Sequence, residues 1–324
     1  MVFDGSVYVA LITPFIKHDD KIIIDFESLR NLVKSIQSDV DGLVLLGSTG
    51  ESCTLTNTEK LQIVKCVREF RDEKGFIFEI IVGIGGNNTQ NVKENTQIFN
   101  DYADAYMVTV PNYNKPTQAG IIKHFQTISG ATDKEIMLYN IPSRTGVEMT
   151  SESIVTTLKT CNNITAIKDA TGNVSNSISV LSIVGNERVK IYSGDDNLIL
   201  PFLSIGAKGV VSVIGHIKSK EIGNIIKLFN EGNVTDAQQQ FFELSDLCQF
   251  AFIESNPSPI KYILHMRMID GISVIKSHIV REPLVSCTAE TKLTLMTYMI
   301  DRYSPHGYHI DEDECYGTIT KIKN

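Results

Sequence analysis

Eight short apolar runs, each bounded by Gly, Asp, Asn or Pro, alternate along this chain with longer stretches of helical spacing, and that alternation restricts the fold more than any other feature. The runs are Val7 to Thr13, Gly42 to Leu46, Ile77 to Val82, Ala105 to Val110, Ile136 to Tyr139, Ile164 to Lys168, Val189 to Ser193 and Gly209 to Val213. Runs this apolar read as buried parallel strands. Helical patterns fall between them at 26–38, 57–73, 89–102, 117–132, 151–159, 174–184 and 198–205. Regular alternation builds either a closed barrel or a doubly wound open sheet. An open dinucleotide-binding sheet carries G-x-G-x-x-G after its first strand. Here Pro14 and Phe15 follow instead, and the GIGGNN run at Gly83 to Asn88 lacks the third glycine and reads as a tight loop. The expected fold is α/β, a (β/α)8 TIM barrel over residues 1–218.

Four further helical patterns, at 219–232, 235–252, 257–269 and 289–299, exceed what barrel closure needs and predict a C-terminal helical extension over 219–303. The remaining 304–324 is polar and rich in turn residues, which predicts a mobile tail. His306, His309 and the Asp311 to Glu314 run within it read as a solvated acidic segment rather than a metal site.

At 42% hydrophobic residues the chain has enough apolar surface for a large core, so disorder throughout is excluded. A formal net charge of −8 argues against a nucleic-acid partner, whose binding rests on clustered Lys and Arg. The six cysteines are scattered without C-x-x-C or zinc-like spacing and read as free thiols in a reducing compartment. The N-terminal MVFDGSVYVALITPF is acidic and interrupted, unlike a signal peptide or a membrane span, so the expected location is the cytoplasm.

In a barrel the active site gathers at the C-terminal ends of the strands. The second run ends in GSTGES at Gly47 to Ser52, whose small residues bring backbone N–H groups and hydroxyls toward a ligand. The fifth ends in Tyr139, with Arg144 in the loop beyond, and the sixth ends in Lys168. A lone lysine there is ordinarily a snorkelling surface residue. Its neighbours change that reading. A desolvated amine loses its proton and becomes a nucleophile, and the phenol of Tyr139 on the adjacent strand can move protons during condensation with a ketone.

GSTGES, the P-x-Y-N-x-P pattern at Pro111 to Pro116, YNIPSRTG at Tyr139 to Gly146, IKDATGN at Ile167 to Asn173, SGDD at Ser193 to Asp196 and NPSPIK at Asn256 to Lys261 occur in one order over about residues 4 to 300. Together they make the chain resemble the dihydrodipicolinate synthase and N-acetylneuraminate lyase superfamily of pyruvate-dependent aldolases. The resemblance implies Lys168 as the Schiff-base lysine and Tyr139 as its proton shuttle. It implies Ser48 and Tyr113 as a relay, with Tyr113 reaching the site from a neighbouring subunit, and hence a homo-oligomer, a dimer or a dimer of dimers up to a homotetramer. Thr49 and a neighbouring backbone N–H would take the pyruvate carboxylate, the Val211 carbonyl would face the keto acid, and Arg144 would bind the carboxylate of the aldehyde. No metal or organic cofactor is implied, because the imine itself is the electron sink.

Arg144 and Asn197 favour condensation of pyruvate with L-aspartate-4-semialdehyde, since the sialic-acid lyases tend to carry an apolar and an acidic residue there. Ser48 leans toward the lyases, which leaves N-acetylneuraminate lyase or another sugar-acid aldolase as the alternative. A non-catalytic binding barrel is disfavoured by the intact Lys168, Tyr139, Ser48 and Tyr113. Asn112 and Asn91 stand where lysine-inhibited synthases place a tyrosine and a glutamate, so weak or absent inhibition by lysine is expected.

Overall fold

Side chains along a strand point alternately to its two faces, so the apolar runs supply two layers at once. In the computed structural model, which describes residues 2–269 and 272–303, these layers are the inside of a barrel and the seam between the barrel and its helices. The strands are β1 (Val7–Ala10), β2 (Gly42–Leu45), β3 (Glu79–Gly83), β4 (Ala105–Thr109), β5 (Ile136–Asn140), β6 (Ile164–Asp169), β7 (Lys190–Ser193) and β8 (Gly209–Ser212). All neighbours are parallel, and β8 returns to β1 with Val7 opposite Val210 and Val9 opposite Ser212, which closes the sheet. The closed TIM barrel is as expected.

Ala105, Met107, Met137, Ala166 and Tyr192 fill the interior, while Leu43, Leu45, Val108, Leu138, Ile167 and Val210 face the helices. The helices are α1 (Phe26–Ile36), α2 (Asn57–Lys74), α3 (Thr89–Ile98), α4 (Gln118–Ser129), α5 (Ser151–Thr160), α6 (Val174–Val184) and α7 (Ile199–Ser204). Polar caps set most of their starts: Thr56 forms a capping box with Glu59 at α2, and Asn88, Thr117, Thr150 and Asn173 each accept from the following turn. The N-terminal end of the barrel is plugged by Tyr8, whose hydroxyl donates to Glu79 at 2.6 Å, and by Tyr192, whose hydroxyl donates to the carbonyls of Phe3 and Gly5.

Helix α8 (Gly215–Asn230) follows β8 and packs on β1, α1 and α7 as the eighth barrel helix, and beyond it the chain forms α9 (Val234–Phe250), α10 (Ser258–Met266) and α11 (Ala289–Tyr303). Helix α8 starts before the expected Ser219 because two helical pieces meet at a kink at Lys218, where φ is −127° and ψ 27°. The pattern read over 257–269 ends early: α10 stops at Met266, and Met268–Ile269 pairs antiparallel with Ile272–Ser273. Two further departures lie at the other end of the chain. The run Val7 to Thr13 is strand only to Ala10, after which Phe15–His18 and Lys21–Ile24 make a hairpin not read from the sequence. The third strand begins at Glu79, where the Asp41 carbonyl first accepts its N–H, and Ile77 is left 92% exposed. The tail at 304–324, with His306 and His309, lies outside the described residues.

Candidate active site

Strand alternation decides where the sixth strand's amine points. Ala166 faces the interior and Ile167 the helices, so Lys168 returns to the interior, 5% exposed, at the C-terminal end of β6. The same count on β5 puts Met137 and then Tyr139 inside, and Tyr139 is the register partner of Lys168. Lys168 Nζ lies 4.4 Å from the centre of the Tyr139 ring. Burial lowers the Lys168 pKa to about 8; Asp195 and Asp196 oppose the fall and Arg144 adds to it. Burial likewise pushes the Tyr139 phenol up to about 12, against the pull of Arg144 and of a side-chain hydrogen bond with Ser48. The amine thus gives up its proton far more readily than a free lysine, while the phenol keeps one to give.

Hydrogen bonds within the sequence motifs hold the surrounding loops. After Lys168, Asp169 accepts from Thr171 N and Oγ1 at 2.9 and 2.7 Å and from Ser177 Oγ at 2.6 Å, which fixes the turn into α6. After Tyr139, Asn140 exchanges two bonds with the Met149 backbone, and residues Pro142–Thr145 form a single helical turn ended by Gly146 at φ 73°, a conformation suited to glycine. Arg144 sits on this turn, exposed at the barrel mouth, and its charge acts on both Tyr139 and Lys168.

Thr49, 4% exposed, lies in the GSTGES loop, and Ser48 beside it is half-buried. Asn256 donates to Thr49 Oγ1 at 2.9 Å. Beneath the loop, Glu51 takes a left-handed φ of 54° and is buried in an ion pair with Lys261, itself fully buried. Glu51 also accepts from the Arg281 backbone N–H at 2.9 Å, and Lys261 donates to the Ile279 carbonyl at the same distance. Val211 is fully buried on the inner face of β8. The end of that strand is held by Asp196, which accepts from Ser212 Oγ, Val213 N and Ile214 N at 2.5, 2.9 and 3.1 Å. His216 ties it to the segment after β1: Nε2 accepts from Ile12 N at 3.1 Å, so Nδ1 carries the proton given to the Val213 carbonyl. Burial lowers this histidine to about 4 and keeps it neutral.

Lys168, Tyr139, Ser48 and Arg144 are therefore brought together, with Thr49 in the loop after β2 and Val211 on β8. Tyr113 is not joined to them within one chain: it is 84% exposed at a left-handed φ of 69°, with its N–H on the Thr145 carbonyl at 3.1 Å. A cavity of about 280 Å³ adjoins the site, lined in part by Asp195, Asn197, Gln249 and Phe252. A larger one of about 610 Å³ lies among α8, α9 and Arg302 and contains none of these groups. Asn256, Glu51, Lys261, Arg281 and His216 were not singled out from the sequence; NPSPIK contains two of them, but their partners lie 207 and 210 residues away.

Comparison with known proteins gives one result throughout. The model of the dihydrodipicolinate synthetase family matches residues 3–301. A 4-hydroxy-tetrahydrodipicolinate synthase of Methanococcoides burtonii is 37% identical over 296 residues, covering 91% of this chain and 96% of that protein. The crystal structure of a dihydrodipicolinate synthase from Aquifex aeolicus superposes with a TM-score of 0.84 at 34% identity, covering 92% of this chain and 98% of that one. A synthase from Cyanidioschyzon merolae with lysine bound gives 0.85 at 35% identity, covering 93% and 98%.

Proposed function

The chain belongs to the dihydrodipicolinate synthetase family, and from that premise we propose that it condenses pyruvate with L-aspartate-4-semialdehyde to 4-hydroxy-tetrahydrodipicolinate through a Schiff base on Lys168. It is a lyase built on a TIM barrel. The observation that carries the reading is the meeting, on adjacent strands, of a buried amine of lowered proton affinity and a phenol that retains its proton.

Thr49 and a neighbouring backbone N–H take the pyruvate carboxylate, with the Val211 carbonyl facing the keto acid. The neutral Lys168 Nζ then attacks C2, and the carbonyl oxygen is protonated to a carbinolamine. Loss of water leaves an iminium, which draws electrons from C3 so that a C3 proton departs and an enamine forms. C3 attacks the aldehyde carbon, making the new C–C bond, and the aldehyde oxygen takes up a proton. The amino group of the added substrate displaces Lys168 from C2, closing the ring and returning the amine. Tyr139 moves the protons in these steps. Ser48 connects it to the partner subunit's Tyr113, which places the reaction in a homo-oligomer; self-association is typical of the family.

Arg144 at the mouth binds the carboxylate of the aldehyde. Asp196 is committed to Ser212 and to the Val213 and Ile214 backbone, so it is not free to hold sugar hydroxyls, which favours the semialdehyde over N-acetylneuraminate. The cytoplasm is the compartment proposed for this activity. No described helix is long and apolar enough to cross a membrane.

The test offers pyruvate with L-aspartate-4-semialdehyde and, separately, N-acetylneuraminate. The first pair is expected to give much the larger kcat/KM. Arg144→Ala is expected to cut condensation by about 10²-fold while leaving imine formation with pyruvate intact. Unchanged condensation in that variant overturns the role given to Arg144, and preferential cleavage of N-acetylneuraminate overturns the substrate.

A further inference from the structure

Asn256, just ahead of α10, is 7% exposed and reaches the carboxylate-binding loop from the far end of the chain, its Nδ2 donating to Thr49 Oγ1 at 2.9 Å. A threonine hydroxyl has one proton to give and two positions that accept. Once the Asn256 amide occupies an accepting position, the Thr49 proton is directed away from Asn256. The loop cannot easily turn to relieve this, because Glu51 two residues on is anchored to Lys261 and to the Arg281 backbone. The other end of the same amide is informative too. Asn256 Oδ1 is buried with no hydrogen-bond partner among the described residues, so the Thr49 contact alone sets which way the amide faces.

We propose that Asn256 is a positioning residue for the keto-acid carboxylate: it holds the Thr49 oxygen as an acceptor and so turns the Thr49 proton onto the substrate. This rests on the reading that Thr49 receives that carboxylate. The C-terminal extension, through Asn256 and Lys261, thereby acts on chemistry carried by the barrel. A donor at residue 256 is essential to the scheme. An acceptor of the same shape would draw the Thr49 proton to itself and set a negative charge beside the substrate's own.

The test compares Asn256→Ala with the isosteric Asn256→Asp. The pyruvate KM is expected to rise about tenfold in Asn256→Ala and about a hundredfold in Asn256→Asp, the scale of losing and of reversing a hydrogen bond to a charged group, with kcat at saturating pyruvate within about threefold of wild type. Acetone, a ketone without a carboxylate, is expected to be trapped on Lys168 by borohydride equally well in wild type and both variants. A pyruvate KM unchanged by either substitution overturns the proposal. So does an Asn256→Asp variant no worse than Asn256→Ala, which would mean that Thr49 donates to residue 256, and so does an equal loss with acetone and pyruvate, which marks a merely structural contact. A wild-type protein that traps neither ketone sinks the Schiff-base reading and the proposal with it, an outcome distinct from a wild type that traps and variants that behave like it.

Discussion

A buried lysine can escape the cost of desolvation by finding a counter-charge or by giving up its proton. This protein contains both solutions. Lys261 and Lys168 are each buried and each lowered to about 8, but Lys261 lies against Glu51 and the Ile279 carbonyl. Lys168 instead faces the Tyr139 ring and feels Asp195 and Asp196 through space. The second arrangement suits a nucleophile, because no tight partner must be broken before the amine attacks. Since the folded-state pKa is lowered, the neutral amine is scarce below about pH 8 and dominant above it. At subsaturating pyruvate the rate of imine formation is expected to climb with pH between 6 and about 9 and then flatten, as read from quenched borohydride trapping. A rate still climbing steeply above pH 9 would show an amine with ordinary proton affinity. Lys168 and Tyr139 were legible in the sequence because each ends an apolar run whose alternation fixes its face. Glu51 with Lys261, and Thr49 with Asn256, were not legible, because no local pattern records a contact across more than 200 residues.

At the level of elements, the GSTGES loop, α10 and the segment leading to Arg281 form one mechanical unit. Arg281 donates to Glu59 at 2.6 and 3.0 Å as well as to the Thr54 and Ile22 carbonyls, and so joins the hairpin, the loop and the start of α2. Glu51 and Lys261 sit inside that unit, fully screened from solvent. Removing one member leaves the other buried without its partner. Lys261→Met is therefore expected to cost about 3–5 kcal/mol in urea unfolding, far more than an exposed pair would. A loss below about 1 kcal/mol would mean that the ion pair is not what holds the loop. Element types were read correctly for every barrel strand, while the errors are shifted boundaries and two short hairpins that went unread. Ile77 was read into a strand because it is apolar, yet β3 starts only where the Asp41 carbonyl supplies a partner, and hydrophobicity says nothing of partners. The hairpin of Phe15–His18 and Lys21–Ile24 went unread because its strands are only four residues each and are joined through the polar Asp19 and Asp20, too short for a clear alternation.

For the whole molecule, closure of the sheet rests on β1 meeting β8, a pairing that strand and helix alternation permits but does not demand. One chain also leaves the proposed relay incomplete, since Tyr113 projects to solvent. If the partner subunit's Tyr113 serves each site, Tyr113→Phe and Lys168→Ala subunits, each inactive alone, are expected to recover about a quarter of wild-type activity on equal mixing and reassembly as dimers. Half of such dimers are mixed, and each mixed dimer holds one intact site. No recovery would place Tyr113 in the site of its own chain, and a Tyr113→Phe protein active without mixing would place it outside any site. All of this presupposes covalent chemistry at the mouth of β6, and reductive trapping with pyruvate followed by peptide mapping examines that step directly. The expected result is one carboxyethylated peptide, carrying Lys168 and lost in Lys168→Ala; no adduct, or an adduct on Lys261 instead, would contradict it.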